Sequence, residues 1–540
     1  MRIALVGVVG LAAGLLVMRN KDSVEAQSRV ACAELSSVRW DNGNVSSSRL
    51  VAAGGYEPSW TAEAAPGETR LRALPREAYA NLPAFCEVKG EVRTSRDTAV
   101  RFEVWLPETT WNRDFRADGF AFFGGTMDPA TLAAALRDGY ATATTDGGGD
   151  GTARANFLVN PESLIDWNHR AWHETTVKAK DLIGRYYGNL PRFSYWNLTG
   201  GATRQGLKSI ALYPQDYDGI AAGGVTNYHS RFTFAQMAAW QATHESPDSY
   251  FDERALRTLN AGVHAACDLN DGVQDSLLHD PRNCRFDPQA LVCSDSRRAD
   301  CLTPAQVRAV QKLYAPVRHS RTGEQLYPEL LPGGEWNPAL LNPSPDLPAA
   351  DFAANYFKYV VLRDPMLDWA SRRINYDADV ALADRPEVAA INAVETDLRP
   401  FLRRGGRILF YNGWNDNMSP LYPIEYYEQI VERAGGDADR AVRLFMIPGM
   451  GHTPGNGNRP YDRTAPPANG YSFDPMAILT RWRETGQPPA QFTVDHRTSG
   501  RVDRQLLVCA FPQGAAYLGQ GDPMQANSYE CRPRRLPAAR

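Results

Sequence analysis

The chain has 540 residues and a formal net charge of -4, and this near-balanced charge gives no electrostatic basis for binding nucleic acid. Hydrophobic residues make up 43% and aromatic residues 10% of the sequence, which excludes a disordered chain and favours a large globular core. A chain of this length can hold about two or three domains, or one large domain with an insertion.

The N-terminal residues 1–26 have the pattern of a cleaved signal peptide. One basic residue precedes the apolar run 3–18, which is short for a transmembrane helix. Residues 24–26, Val-Glu-Ala, then provide the small residues of a cleavage site. We therefore expect a secreted or periplasmic protein with no membrane contact after cleavage. The alternative is that this segment remains as an uncleaved anchor.

Eight cysteines agree with an oxidising compartment. None has the CxxC spacing of a zinc or redox site, so we interpret them as structural disulfides. The most economical pairing joins each cysteine to the next along the chain, as Cys32–Cys86, Cys267–Cys284, Cys293–Cys301 and Cys509–Cys531.

Strand-like apolar segments alternate with helical segments, which indicates an α/β fold with a parallel sheet. A long amphipathic helix is predicted over 161–188 from apolar residues at helical spacing. The candidate strands are 101–107, 140–146, 193–198, 219–224, 407–413 and 441–449.

The alternation stops over residues 226–395, which are rich in Pro, Asp and aromatic residues and contain four of the eight cysteines. Because the alternation resumes at Arg407, we predict that this segment is an inserted lid domain. It would separate two parts of one core, 27–225 and 396–540. Residues 490–540 are expected to be rich in loops and closed by the last disulfide.

A turn with the outline of a nucleophile elbow follows the predicted strand 193–198. An elbow exposes a serine on a sharp strand-to-helix turn, but no Ser, Cys or Asp stands between Leu198 and Arg204. Asp416 and His452 follow two later strands, in the chain order of the acid and the histidine of an α/β-hydrolase triad. We expect Asp416 to orient the imidazole, which leaves its other ring nitrogen to move a proton.

Several long motifs in one order resemble the tannase/feruloyl esterase family. This resemblance covers nearly the whole mature chain and implies a secreted α/β-hydrolase fold with a large lid, acting on phenolic esters. The sequential cysteine pairs also look like those of the family. The motifs are "NPESLIDWNHRAWHETTVKAKDLI", "RQGLKSIALYPQDYDGIAAG", "CDLNDGVQDSLLHDPRNC", "YNGWNDNMSP" and "PGMGH".

The sequence departs from the family pattern at three linked places. Counting back from Arg204 without gaps, the nucleophilic serine of the family corresponds to Gly200. The two cysteines that form a disulfide beside the family's triad correspond to Thr199 and Thr453. Bulky residues replace most glycines of the family's oxyanion loop, as Phe120, Ala121 and Phe122. We expect Phe120, Phe122 and Thr453 to line the substrate pocket, with Thr199 as the one alternative nucleophile.

Closely spaced carboxylates in "CDLNDGVQD" are hard oxygen donors of the kind that calcium prefers. The stretch lacks the spacing and the closing Glu of an EF-hand, so a solvated acidic loop is the alternative. The resemblance implies a structural calcium in the lid, and no organic cofactor is expected. Its ligands would be the carboxylates of Asp268, Asp271 and Asp275 and the carbonyls of Val273 and Leu277.

We expect an enzyme that acts on a phenolic or other aromatic small molecule through an acid–base pair, His452 and Asp416. Without a nucleophile the reaction would not be conventional acyl-enzyme hydrolysis, which leaves lyase, isomerase or water-activating chemistry. One alternative is a catalytically silent binding protein that keeps the pocket. Another is a slow carboxylic ester hydrolase that uses Thr199 or water.

Overall fold

A computed structural model provides the structure of the protein. It describes residues 30–58, 76–120, 123–124, 127–149, 155–294, 300–336, 351–369, 371–455 and 469–533. The predicted signal peptide, and Ala121 and Phe122 of the predicted oxyanion loop, lie outside these ranges. Among the helices of the described ranges, none combines the length and the apolar character needed to span a bilayer.

Ten strands form one large mixed sheet in the order β1-β2-β3-β4-β6-β5-β7-β8-β11-β12. These strands are β1 (Arg39–Trp40), β2 (Gly43–Val51), β3 (Phe85–Arg93), β4 (Ala99–Pro107), β5 (Phe115–Asp118), β6 (Ala141–Thr145), β7 (Ser194–Thr199), β8 (Gly219–Gly223), β11 (Arg407–Gly413) and β12 (Val442–Ile447). The first four strands pair antiparallel, and β4 joins β6 antiparallel. From β6 onward, every pair is parallel. The α/β prediction is therefore confirmed.

The remaining strands form three smaller sheets. A two-stranded sheet lies within the predicted lid, and the other two lie near the C-terminus. They are formed by β9 (Val317–Arg318) with β10 (Gln325–Tyr327), by β13 (Gly470–Ser472), β14 (Gln491–Thr498) and β15 (Arg501–Cys509), and by β16 (Gln513–Tyr517) with β17 (Tyr529–Pro533). The expectation that residues 490–540 are rich in loops is therefore wrong, because four of these strands begin in that region. Its alternating polar residues belong to half-exposed antiparallel strands.

Fourteen α-helical segments accompany the sheet within the described residues. They are α1 (Pro129–Arg137), α2 (Pro161–Ile165), α3 (Ala171–Tyr187), α4 (Gly201–Leu212), α5 (His229–Thr243), α6 (Glu253–Cys267), α7 (Pro304–Leu313), α8 (Asp351–Tyr356), α9 (Ala378–Ala383), α10 (Pro386–Ala389), α11 (Arg399–Arg403), α12 (Leu421–Ala434), α13 (Ala438–Ala441) and α14 (Pro475–Thr485). The helix predicted over 161–188 is present, with a π-helical turn at Asp166–Arg170 between α2 and α3.

All four disulfides form between sequential cysteines, so the predicted pairing is confirmed. Two of them, Cys267–Cys284 and Cys293–Cys301, lie within the segment predicted as a lid. That segment begins with α5 and is mainly helical, in contrast to the strand-rich regions on either side. The boundaries 226 and 395 remain predictions.

The parallel half of the sheet lies in the core. Every residue of β7 and β8 is buried, as expected for strands covered by helices on both faces. This packing fixes the positions of the strand ends. The candidate functional residues lie in the loops that directly follow those ends.

Candidate active site

Four loops leave the sheet at the carboxyl edge of the parallel strands. Thr199 at the end of β7 pairs with Gly223 at the end of β8, and Gly223 in turn pairs with Tyr411 of β11. Gly413 at the end of β11 pairs with Ile447 of β12. The loops that follow these strands therefore leave the sheet side by side, which is where open α/β sheets carry their sites.

Asp416 and His452 are brought together at this edge. His452 Nδ1 lies 3.1 Å from Asp416 Oδ1 and 3.0 Å from Oδ2. The Asp416 side chain is 2% exposed and that of His452 is 13% exposed. The backbone N–H of Met418 also donates to Asp416 Oδ1, at 2.9 Å. The carboxylate is thus held from two sides and keeps the proton of His452 on Nδ1.

The second ring nitrogen of His452 has a different environment. Among the described residues, no side chain or backbone group hydrogen-bonds to Nε2. Burial lowers the pKa of His452, but the charge and the hydrogen bond of Asp416 outweigh burial and raise it above its ordinary value. A basic imidazole whose Nε2 is not engaged has the chemistry of a general base.

Gly224, the residue after β8, packs directly against His452. Its φ is +53°, which L side chains rarely adopt. A Cβ on Gly224 would lie 2.4 Å from the carbonyl oxygen of His452 and 3.0 Å from its ring carbon Cε1. Only glycine therefore allows the histidine loop to approach β8 this closely.

Asn412 connects the acid loop to the same segment. Its side chain is fully buried within β11. Asn412 Nδ2 donates to Asp416 Oδ2 at 3.1 Å, and Asn412 Oδ1 accepts from the backbone N–H of Val225 at 2.9 Å. One side chain thus holds both Asp416 and the exit of β8.

Gly200 forms the sharp turn between β7 and α4. Its φ is +65° and its ψ is -134°. Its N–H donates to Gly223 O at 2.9 Å, and Thr203 Oγ1 donates to Gly200 O at 2.7 Å. A Cβ on the next residue, Gly201, would meet no atom of the described residues within 4 Å, so those residues leave space beside the N-terminus of α4. The strand-turn-helix geometry of an elbow is present without a nucleophilic side chain at Gly200.

The two threonines beside this turn differ in exposure. Thr199 is 3% exposed, and its Oγ1 is buried without a hydrogen-bond partner. Thr453 is half-buried and directly follows His452. A buried hydroxyl without an adjacent base is poorly suited to act as a nucleophile.

Phe120 lies close to the elbow helix. Its N–H donates to Gln205 Oε1 at 3.2 Å, and its carbonyl accepts from Gln205 Nε2 at 3.0 Å. Its ring packs against Trp172, with the ring centres 6.0 Å apart. Phe120 is only 6% exposed, so it lies mainly within the core. Its backbone N–H is therefore engaged by Gln205.

Arg204 connects the elbow helix, α4, to the segment before α3. Its guanidinium is fully buried, lies 4.1 Å from the ring centre of Trp167 and donates to Asn168 Oδ1 at 2.8 Å. Burial lowers the pKa of Arg204 to about 9. The sequence motif contains this arginine, but the motif alone did not reveal that it ties α4 to the π-helical turn before α3.

The predicted calcium ligands follow α6 along the chain, from Asp268 to Leu277. Asp268 Oδ1 is buried without a hydrogen-bond partner. Burial and the charges of Asp275 and Asp268 raise the pKa of Asp271. Asp275 is instead engaged by Arg504, whose Nη1 lies 3.2 Å from its carboxylate. Across the described residues, no three His, Cys, Asp or Glu side chains are grouped closely enough to hold a metal by themselves.

The chain is similar in sequence to several known proteins. The sequence pattern described as "Tannase and feruloyl esterase" matches residues 86–532. A protein of Xanthomonas campestris pv. campestris, named as an uncharacterized esterase, is 32% identical over 94% of this chain and 92% of its own length. A probable feruloyl esterase B-1 of Aspergillus terreus is 30% identical over 83% of this chain and 86% of its own length.

Solved structures agree with these matches. The crystal structure of feruloyl esterase B from Aspergillus oryzae has a TM-score of 0.79 and 25% identity, and the match covers 93% of this chain and 100% of that one. Tannin acyl hydrolase from Aspergillus niger has a TM-score of 0.68 and 17% identity, over 91% of this chain and 92% of that one. The predicted α/β-hydrolase fold is therefore confirmed.

Proposed function

The chain belongs to the tannase and feruloyl esterase family, and we propose that it hydrolyses esters of aromatic, phenolic acids. The names of its relatives support this substrate class. The observation that carries the chemistry is the pair of Asp416 and His452, in which Nδ1 is held and Nε2 is not engaged. Because Gly200 has no side chain to attack the ester, we propose that a water molecule is the nucleophile.

In the proposed reaction, His452 Nε2 removes a proton from water while the water oxygen forms a bond to the ester carbonyl carbon. The carbonyl becomes a tetrahedral oxyanion, and Asp416 stabilises the imidazolium. The imidazolium then gives its proton to the leaving alkoxide as the carbon–oxygen bond breaks. The products are the free acid and the alcohol, and no bond to the protein forms.

The N-terminus of α4 supplies the proposed oxyanion site. Gly201 is the first residue of this helix, so its N–H has no acceptor within the helix. The positive end of the helix dipole favours a developing negative charge there. Gly200 leaves space beside this N–H for the attacking water.

The sizes of two catalytic effects, acid–base catalysis and the loss of the nucleophile, predict a slow enzyme. General acid–base catalysis contributes about 10²- to 10⁴-fold. Loss of a serine nucleophile in a triad costs about a millionfold in turnover. The expected turnover therefore lies well below that of an esterase with a serine nucleophile.

Release of 4-hydroxycinnamate from its methyl ester tests this function. The native protein should release the acid, and His452→Ala should abolish release because no other described group replaces the base. His496→Ala is the matched control. His496 forms a similar pair with Asp503, at 2.7 Å, and shares no hydrogen bond with Asp416 or His452, so its loss should not alter turnover. Turnover that survives His452→Ala would rule out the acid–base proposal.

The same assay decides whether Thr199 is the nucleophile. Its hydroxyl is buried and unpartnered, so we propose that it takes no part. Thr199→Val removes the hydroxyl at nearly constant volume and should keep the slow release of acid. If release stops while the variant remains folded, Thr199 is the nucleophile.

A second candidate function is a catalytically silent binding protein. The observation that favours it is the N–H of Phe120, which is taken by Gln205 and so is lost as an oxyanion donor. Such a protein would bind the phenolic ester without releasing acid from it. Saturable binding of the ester with no product after prolonged incubation would select this function.

We further propose that calcium binds the loop after α6. The unpaired oxygen of Asp268 and the raised pKa of Asp271 support a cation there. Since Asp275 is paired with Arg504, the backbone carbonyls of Val273 and Leu277 would supply further oxygen donors. The role proposed for the ion is structural.

We also propose that the protein is exported and that residues 1–26 are removed. Four disulfides and the absence of a free cysteine among the described residues support an oxidising compartment. N-terminal sequencing of the exported protein should begin at residue 27. An intact residue 1 would instead identify an uncleaved anchor.

A further inference from the structure

A cavity of about 670 Å³ lies between α5, the β9–β10 hairpin and the loop after Asp416. This volume falls within the range of pockets that hold small molecules. Neither Gly200 nor His452 lines it, so it is separate from the site described above. Residues 417–419, which directly follow the acid, form one wall.

The walls are apolar and aromatic. Phe232 lines the cavity from α5, Tyr327 from β10, and Tyr376 from the segment before α9. Tyr327 is held in place because its hydroxyl donates to the carbonyl of Met418 at 2.5 Å. Flat rings of this kind favour an aromatic ligand, which can stack on them or pack edge to face.

Two amides in the lining have unmet hydrogen bonds. Asn417 is 5% exposed, and its Oδ1 is buried without a partner. Gln236 Oε1 on α5 is likewise buried and unpartnered. An unpaired buried polar atom is unfavourable, so a ligand group that reaches it and pairs with it is favoured. A phenolic hydroxyl both donates and accepts, and can therefore pair with either amide.

The rim of the cavity is cationic. Lys312 and Glu245 pair with each other at 2.6 Å and offset each other's charge. Arg318 and Arg373 line the same cavity, and neither has a carboxylate partner among the described residues. Arg373 instead lies over the ring of Trp240, at 4.9 Å from its centre. Two guanidinium groups without counter-ions favour a carboxylate ligand.

We propose that this cavity is a second binding site, and that its ligand is a small hydroxylated aromatic carboxylate. The ring packs between Phe232, Tyr327 and Tyr376. The hydroxyl pairs with Gln236 or Asn417, and the carboxylate meets Arg373 and Arg318 at the rim. A ligand in this position contacts the segment that directly follows the catalytic acid.

Calorimetric titration of the full chain with 4-hydroxybenzoate tests the proposal. The native protein should bind one equivalent in this cavity. Benzoate lacks the hydroxyl and 4-hydroxybenzyl alcohol lacks the carboxylate, so each should bind about tenfold more weakly. His452→Ala should bind 4-hydroxybenzoate as the native protein does, because His452 is not part of this cavity.

Two variants within the cavity and one outside it complete the test. Gln236→Leu and Arg373→Met should each weaken binding about tenfold, which corresponds to one lost polar contact. Arg257→Met is the control, because Arg257 is an exposed arginine on α6. The proposal is overturned if no saturable binding occurs or if both cavity variants bind normally. It is also overturned if His452→Ala removes the binding.

Discussion

At the scale of single residues, opposing influences act on the pKa of the His452 imidazole. Burial lowers its pKa, while the charge and hydrogen bond of Asp416 raise it to a net value above 6.5. A general base acts in its neutral form, so kcat/KM should increase with pH through a midpoint above 6.5. Asp416→Asn removes the negative charge and leaves at most a hydrogen bond to a neutral amide, so the midpoint should fall.

The same substitution should also reduce the rate. An asparagine no longer stabilises the imidazolium, so turnover should fall by up to the whole acid–base contribution of about 10²- to 10⁴-fold. pH–rate profiles of the native and variant proteins measure both effects. Identical profiles would contradict the role proposed for Asp416.

Asn412 provides a second test at this scale. Replacing it with Ala leaves the N–H of Val225 and one oxygen of Asp416 without their partner, so unfolding should become easier by about 1–3 kcal/mol. Asn412→Asp keeps an acceptor for Val225 but adds a negative charge beside Asp416. It should therefore raise the midpoint of the pH–rate profile further, which a purely structural role would not do.

Asn189→Ala serves as the control, since Asn189 is an exposed asparagine in the loop before β7, at the opposite end of that strand from Gly200. Neither its stability nor its pH–rate midpoint should change. An unchanged midpoint in Asn412→Asp would show that Asn412 does not act on the dyad.

The sequence identified some of these residues and missed others for a physical reason. Asp416 and His452 each follow a recognisable strand, so their order along the chain was enough to select them. Asn412 acts through Val225, which is 187 residues away, and Gly224 acts by letting His452 approach closely. Such contacts depend on how strands are placed side by side, which local pattern does not encode.

At the scale of elements, the elbow between β7 and α4 keeps its shape through a glycine. The φ of Gly200, +65°, is unfavourable for other residues, so Gly200→Ser should destabilise the protein by about 1–3 kcal/mol. The new hydroxyl should still not give a fast esterase, because Gln205 occupies the N–H of Phe120 and no disulfide joins residues 199 and 453. Members of a triad act together, so one restored member recovers little.

A serine-reactive phosphonate distinguishes the two forms of the elbow. The native protein should remain unlabelled, while Gly200→Ser can be labelled without a large gain in ester turnover. A gain approaching a millionfold in Gly200→Ser would show that the rest of a serine-hydrolase site is intact.

The strands of the parallel half were predictable, whereas the C-terminal strands were not. β7, β8, β11 and β12 are mostly apolar and buried over almost their whole length, as expected for strands with helices on both faces. β14 and β15 are half-exposed and polar, so their sequence is similar to that of loops. β14 and β15 are recognised as strands by their antiparallel pairing with each other and not by their composition.

At the scale of the whole molecule, the loop of the proposed calcium site contacts the three-stranded sheet near the C-terminus. Arg504 on β15 contacts Asp275 in the loop after α6. An ion that binds only the folded chain stabilises it by about 2.7 kcal/mol at one hundred times its Kd. Chelation should therefore lower the melting temperature by a few degrees, and added calcium should restore it.

Differential scanning calorimetry with and without a chelator measures this effect. Asp268→Asn should lose most of the calcium response, while Asp41→Asn, at an exposed turn, should keep it. Superimposable scans of the native protein with and without chelator would exclude a structural calcium.

A water nucleophile requires that the site turns over an aromatic ester without a covalent bond to the protein. Intact-mass spectrometry during a single turnover, with protein in excess over methyl 4-hydroxycinnamate, tests it most directly. We expect 4-hydroxycinnamate to form while the mass of the protein stays unchanged, and we expect His452→Ala to form no acid beyond the uncatalysed rate. An added acyl mass that appears and decays with product formation, above all one located on Thr199, would contradict it.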